Sequence, residues 1–290
     1  NITMTTGTGD IRVGGSNGKG NVVAGNHVAL TVTSGNVSVD KTVKAKGGNV
    51  DVWVKDGDIN IGNNGPDVET VAAGGNVNLT AESGKIRISG KTATETGDIV
   101  VHAANDHYVE GENGQNIIFD QNGQLAAGRD ATLIMTNGDL HVTDHVTAGR
   151  NLNVETRGRG NISLDDDVTV NNDMSMKTET GNINVGKTIT AKDGTVTMTT
   201  AVQGDIAVGA DVIAGKDINM DIKSGNILVG ENGKGNVVAS NNVKMTVASG
   251  HVSVEKTVKA KTGNVDVLAE NVNIKIGDHG ATVETVAAGN

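Results

Sequence analysis

Residues 74–97 read GGNVNLTAESGKIRISGKTATETG, and the rest of the chain is built from variations on this stretch. Val77, Leu79 and Ala81 alternate with polar residues, Ser83-Gly84 marks a turn, Ile86 and Ile88 alternate again, and Thr92 to Thr94 form a weaker third run. Gly97-Asp98 then opens the next cycle. Apolar residues at every second position describe strands with one buried face, and the intervening Gly, Ser and Asn are turn formers. Three short strands in each cycle of about 22 residues are the signature of an all-β solenoid, a parallel β-helix.

Working outward, turns of the type Gly-Asn or Gly-Asp followed by Val or Ile recur at Gly9, Gly35, Gly57, Gly97, Gly160, Gly181, Gly204 and Gly225, among others, and with Leu at Gly138. Coil starts fall near Asn26, Asn49, Asn76, Asp98, Arg129, Arg150, Asn172, Thr195, Lys216, Asn241 and Asn264. These predict roughly thirteen rungs and, at about 4.8 Å per rung, a rod on the order of 60 Å. Residues 1–290 are therefore expected to form one repeat domain, because a solenoid grows by adding rungs. Both ends fall inside the pattern, so the chain reads as a fragment of a longer array.

A longer period is superimposed. NGKGNVVA at 17–24 returns at 232–239, KTVKAK at 41–46 returns at 256–261, and VETVAAG at 68–74 returns at 283–289. The offset is 215 residues (232 − 17), about ten rungs by spacing, so that 9–76 recurs at 225–290. Core positions change gently between the copies (Leu30, Met245), whereas outward positions change character (Ala29, Lys244; Lys55, Glu270). Packing constrains the first kind and water hardly constrains the second.

Composition agrees with a thin core. Hydrophobic residues are 36% of the chain, and Trp53, Tyr108 and Phe119 are its only aromatics. Val, Ile and Ala can fill a core one rung deep but not a thick globular one. The 41 glycines sit at regular turn positions, which favours order over a flexible linker. The absence of cysteine rules out disulfides and Cys-based metal sites, and suits a chain that crosses a periplasm unfolded. A net charge of −10, spread as single Asp and Glu residues, argues against nucleic acid, and no apolar run is long enough for a membrane helix.

Few residues invite chemistry. GNINVGKT at 181–188 satisfies the phosphate-loop pattern, but Ile183 and Val185 alternate as a strand where that motif needs a loop before a helix. Asp165, Asp166 and Asp167 are candidates for a hard cation such as calcium, against a plain acidic corner. Of the seven histidines, His141 and His145 are four apart, a spacing that converges only on a helix. Other carboxylates occur singly at turn positions (Asp10, Asp58, Asp98, Asp139, Asp205), where Asp and Asn serve turn geometry. A carbohydrate-active enzyme would need them clustered on one wall. No cofactor is expected.

Binding candidates are Trp53, His107, Tyr108 and Phe119. With Val50, Val52 and Val54 inward, Trp53 and its counterpart Leu268 face outward. The cycle from His102 to Gln124 is over length and carries the other two aromatics, so a loop insertion is expected at 105–116, with Ile117 to Phe119 rejoining the wall. The alternative is a tolerated insertion without a role.

The AAG-(R/K)-(D/N) coil starts (Ala127 to Leu133, Ala148 to Val154, Ala214 to Met220) and the SGN-(V/I)-x-V second strands (Ser34 to Val39, Ser224 to Val229) give the chain a likeness over its whole length. It resembles the repeat shaft of the filamentous haemagglutinin-like exoproteins and adhesins of bacterial two-partner secretion. That resemblance implies a right-handed β-helix, export through an outer-membrane transporter barrel, and a place secreted from or displayed on a Gram-negative type cell surface. It implies the structural shaft of a large adhesin that extends a binding tip in attachment or biofilm formation. Expected partners are a host or neighbouring-cell receptor or glycan, and further copies of the chain end to end or side by side, with no membrane insertion. The alternatives are a segment that itself binds receptor or glycan and, third, a β-helical carbohydrate-active enzyme.

Overall fold

The computed structural model describes residues 1–15, 18–62, 69, 71–104, 115–231, 234–270, 273–277 and 286–287. All regular structure among them is β, and it divides into two units, 1–149 and 150–290. Each unit is a stack of coils, and each coil lays one strand on each of three parallel sheets.

In unit one the first sheet holds Ile2–Thr8, Val28–Ser34, Val50–Asp56, Val77–Ala81, Ile99–Ala103 and Ala131–Met135. The second holds Ile11–Val13, Val37–Val39, Ile59–Ile61, Ile86–Ser89, Gln115–Asp120 and Asp139–Val142. The third runs from Val22–Ala24 through Val43–Ala45, Val71–Ala73, Thr92–Thr94 and Leu125–Ala127 to Val146–Ala148. Unit two repeats the scheme: its first coil is Leu152–Arg159, Ile162–Leu164 and Val168–Val170, and its first sheet ends with Val265–Ala269. The described strands thus make twelve coils, against the roughly thirteen expected from spacing. In chain order the 215-residue offset carries Val28 of the second coil to Val243 of the eleventh, nine coils rather than ten.

Parallel strands cannot be joined by a tight hairpin. Here the other two strands of the coil supply the crossover. Register then stacks like on like: Val28, Val50, Val77 and Ile99 form one inward column, and Leu30, Val52, Leu79, Val101 and Leu133 the next. Nearly all of these side chains are fully buried. Full burial of one such side chain is worth about 1.5–3 kcal/mol. A one-residue slip would exchange Val77, Leu79 and Ala81 for Asn78 and Thr80, so burial holds the register.

The corners are stabilised between coils. From the first to the second sheet of unit two, the side-chain oxygen of Asn161 accepts the backbone N–H of Asn182, Asn182 accepts from Asp205, and Asp205 accepts from Asn226 (2.7–2.8 Å). Asn226 then accepts from His251 at 2.9 Å. In unit one Asp10, Asn36 and Asp58 accept in the same way from Asn36, Asp58 and Lys85, all at 2.8 Å. A matching ladder at the return to the first sheet runs from Asn49 through Asn76 to Asp98. Two histidines serve as rungs, with Nδ1 of His27 accepting from Asn49 at 3.0 Å and Nδ1 of His251 from Asn273 at 3.4 Å. Gly204, with φ +149°, follows the same corner, and a Cβ there would collide with the carbonyl of Gly181 one coil away.

A second device lies inside the unit-two corner. Thr156, Thr178 and Thr200 are buried at the last inward position of three successive first-sheet strands, and each hydroxyl donates to the carbonyl of the following turn glycine (Gly160, Gly181, Gly204) at 2.8–3.1 Å. A buried hydroxyl needs such a partner.

Candidate functional site

Trp53 stands outward on the first sheet of unit one, half-buried between the inward Val52 and Val54. Its register partners are Thr31 in the preceding coil and Thr80 in the next. The indole Nε1–H donates to Oε1 of Glu82 at 3.0 Å, so the ring is anchored across two coils. Beside it, Asn78 Nδ2 donates to Asp51 at 2.7 Å. The outward column continues through His102 to Ile134. The corresponding column of unit two is charged or polar, Glu155, Lys177, Thr199, Asp221 and Thr246, until Leu268, which is 50% exposed. What the alternation could not disclose was Glu82 as Trp53's partner, because that contact depends on which coils stack.

Phe119 is not a binding residue. It is fully buried in the strand Gln115–Asp120, in register with Ile88 and Val142, because the second sheet resumes with Ile117 and Phe119 inward. Of the loop expected at 105–116, residues 105–114 lie outside the described residues. Gln115 and Asn116 belong to that strand, and Asn116 is buried with Nδ2 donating to the carbonyl of Asn137 at 2.7 Å. His107 and Tyr108 lie outside the described residues, as does His279.

The three aspartates do not converge on an ion. Asp165 accepts from Ser163, Asp166 pairs with Lys187 at 2.8 Å, and Asp167 accepts the Thr188 N–H at 2.9 Å as a ladder rung. Lys187 is the lysine of the phosphate-loop string, and the string's Ile183–Val185 is a buried strand. No helix follows, so the N-terminus that such a motif needs is missing there. His141 faces outward from Asp139–Val142, whereas His145 sits at the next corner against Asp144 (2.6 Å) and Gln124. Among the described residues no three His, Asp or Glu side chains are placed to hold a metal. Among the same residues no helix is long and apolar enough to cross a membrane.

Arg129 and Asp98 form a two-pronged pair (3.0 and 2.6 Å) that bridges two coils. The hydrogen bond to Asp98, and then its charge, raise the guanidinium above its ordinary value. A shallow cleft of about 180 Å³ on the third sheet of unit one is walled by Ala72, Ala93 and Ala126 and edged by Lys44, Glu69 and Lys91. That is smaller than the usual 300–1,000 Å³ of small-molecule sites, and Lys44 and Glu69 already pair there at 2.7 Å.

Of the expected turn carboxylates, Asp10, Asp58, Asp98 and Asp205 are ladder rungs, and Asp139 instead opens a strand. Compared with protein-family models, characterised proteins and solved structures, the chain matches none.

Proposed function

We propose that this chain is a stretch of structural shaft from a large adhesin, with no catalysis of its own. The observation that supports it is where the polar side chains go. Asp, Asn and His residues that could otherwise do chemistry are used at the corners to join each coil to the next, and buried Thr hydroxyls close the corner within a coil. Coils joined alike are interchangeable, which suits reach or repeated presentation more than one unique site. The resemblance of the coil starts and second strands to two-partner secretion exoproteins supplies the rest of the reading. On it the chain passes an outer-membrane transporter barrel and works outside the cell, holding a tip that meets a receptor or glycan on a host or neighbouring cell.

A direct receptor- or glycan-binding role is the second reading, favoured by the anchored ring of Trp53 beside Asp51 and Asn78. The experiment exchanges these 290 residues, within the full surface protein, for an unrelated solenoid with the same number of coils. Adhesion kept supports the shaft. Adhesion lost, with display on the cell unchanged, overturns it and favours direct binding.

A further inference from the structure

Four methionines stack in one inward column of unit two. Met176 is in register with Met198, Met198 with Met220 and Met220 with Met245, and none of the four is more than 1% exposed. Met174 is buried one inward position before Met176 in the strand Met174–Thr180. Elsewhere the chain has only Met4, half-buried, and Met135, in register with Ala103. Volume does not call for sulfur in this column. Its counterpart in unit one is filled by Leu30, Val52, Leu79, Val101 and Leu133, and Leu30 stands 215 residues before Met245 (245 − 30). Leucine and methionine exchange in cores at little cost. What methionine adds is a thioether that a peroxide can oxidise.

We propose that this column is an oxidative modification site through which a peroxide loosens the packing of unit two. The thioether sulfur attacks a peroxide oxygen: the O–O bond breaks, an S–O bond forms, the sulfur is oxidised by two electrons, and hydrogen peroxide is reduced to water. The product is polar, and the core offers its oxygen no donor. The inward hydroxyls two residues further along, Thr178 and Thr200, already donate to the carbonyls of Gly181 and Gly204. Across the coil the other two sheets turn Val, Ile and Ala inward. A closed coil hides its sulfur, so the first oxidation waits for a local opening. A buried acceptor without a partner then raises the opening constant roughly 5- to 150-fold. Because stacked strands lie about 4.8 Å apart, that opening uncovers the next methionine of the column. Oxidation therefore spreads from coil to coil in unit two, whereas the Leu and Val column of unit one gives it no path.

The test treats the 290-residue chain with rising doses of hydrogen peroxide and follows peptide masses and hydrogen exchange. Met4, which needs no opening, should be oxidised first. The four column methionines should then gain oxygen together, with few chains carrying only one or two sulfoxides among them. Exchange should quicken roughly 5-fold or more across Met174–Thr180, Val196–Gln203, Ile218–Ile222 and Val243–Val247, while Val28–Ser34 and Val50–Asp56 keep their protection. Met176→Leu, Met198→Leu, Met220→Leu and Met245→Leu together should leave the circular dichroism unchanged and remove the response of unit two. Met198→Leu alone, which keeps the fold even if the fourfold variant does not, should split the column, so that Met176 no longer oxidises together with Met220 and Met245. Four sulfurs that stay reduced at a dose converting free methionine, or that oxidise one by one at its rate, would overturn the proposal. So would an oxidised column with unchanged exchange, a fourfold variant as sensitive as the parent, or a Met198→Leu variant whose remaining methionines still oxidise together.

Discussion

Replacing Asn182 by alanine isolates the contribution of one ladder rung. Its Oδ1 accepts the Asp205 N–H at 2.8 Å, and its own N–H donates to Asn161 at 2.8 Å, so the substitution deletes one bond and leaves the other. The orphaned Asp205 amide is half-buried. A net hydrogen bond is worth about 1 kcal/mol and an unsatisfied buried donor costs about 1–3 kcal/mol, so partial access of water sets the expected loss at about 1–2 kcal/mol. Hydrogen exchange at the Asp205 amide should accelerate about 5- to 30-fold when it opens locally, and the urea midpoint should fall. Asn182→Asp keeps an acceptor and should stay within about 0.5 kcal/mol of the parent. If alanine leaves both exchange and midpoint unchanged, or if aspartate costs as much as alanine, the ladder is an accompaniment of the stacking and not a cause of it.

Phe119→Ala should cost about 3–5 kcal/mol in urea unfolding, whereas a surface aromatic would cost little. Thr178→Val removes a buried hydroxyl that satisfies the Gly181 carbonyl and should cost about 1–2 kcal/mol despite the matched shape. Gly204→Ala should be worse than either a loop or strand glycine change, about 2 kcal/mol or more, because positive φ and the Gly181 carbonyl both oppose a Cβ. Calcium at millimolar levels should leave the thermal midpoint unmoved, since Asp165, Asp166 and Asp167 point to three different partners.

The alternation of Val77, Leu79 and Ala81, then Ile86 and Ile88, then Thr92 and Thr94, was enough to place three strands in that coil, and they form as Val77–Ala81, Ile86–Ser89 and Thr92–Thr94. Expected coil starts near Asn49, Asn76 and Asp98 precede strands that begin at Val50, Val77 and Ile99. Period two survives in the sequence because burial enforces it strand by strand. Contacts between coils carry no such local mark. Asn182 and Asp205 look like ordinary turn residues until the next coil is laid over them, and nothing near Trp53 in the chain points to Glu82. Phe119 is one of only three aromatics, yet the alternation from Ile117 turns it inward, where it is fully buried. The outward character of Trp53, by contrast, followed from the strand pattern alone.

The corner ladders also have a direction. At every described rung the side-chain acceptor belongs to the earlier coil and the amide hydrogen to the later one, as from Asn161 to Asn182 to Asp205 to Asn226. A coil that has just folded therefore presents ready acceptors to the segment that comes next in the chain, much as a crystal face presents its lattice to arriving molecules. Order can be laid down in the sequence of synthesis or emergence, with each layer templating its successor. The same arrangement explains why such an array lengthens by whole layers: a partial one would offer the following segment no face on which to grow.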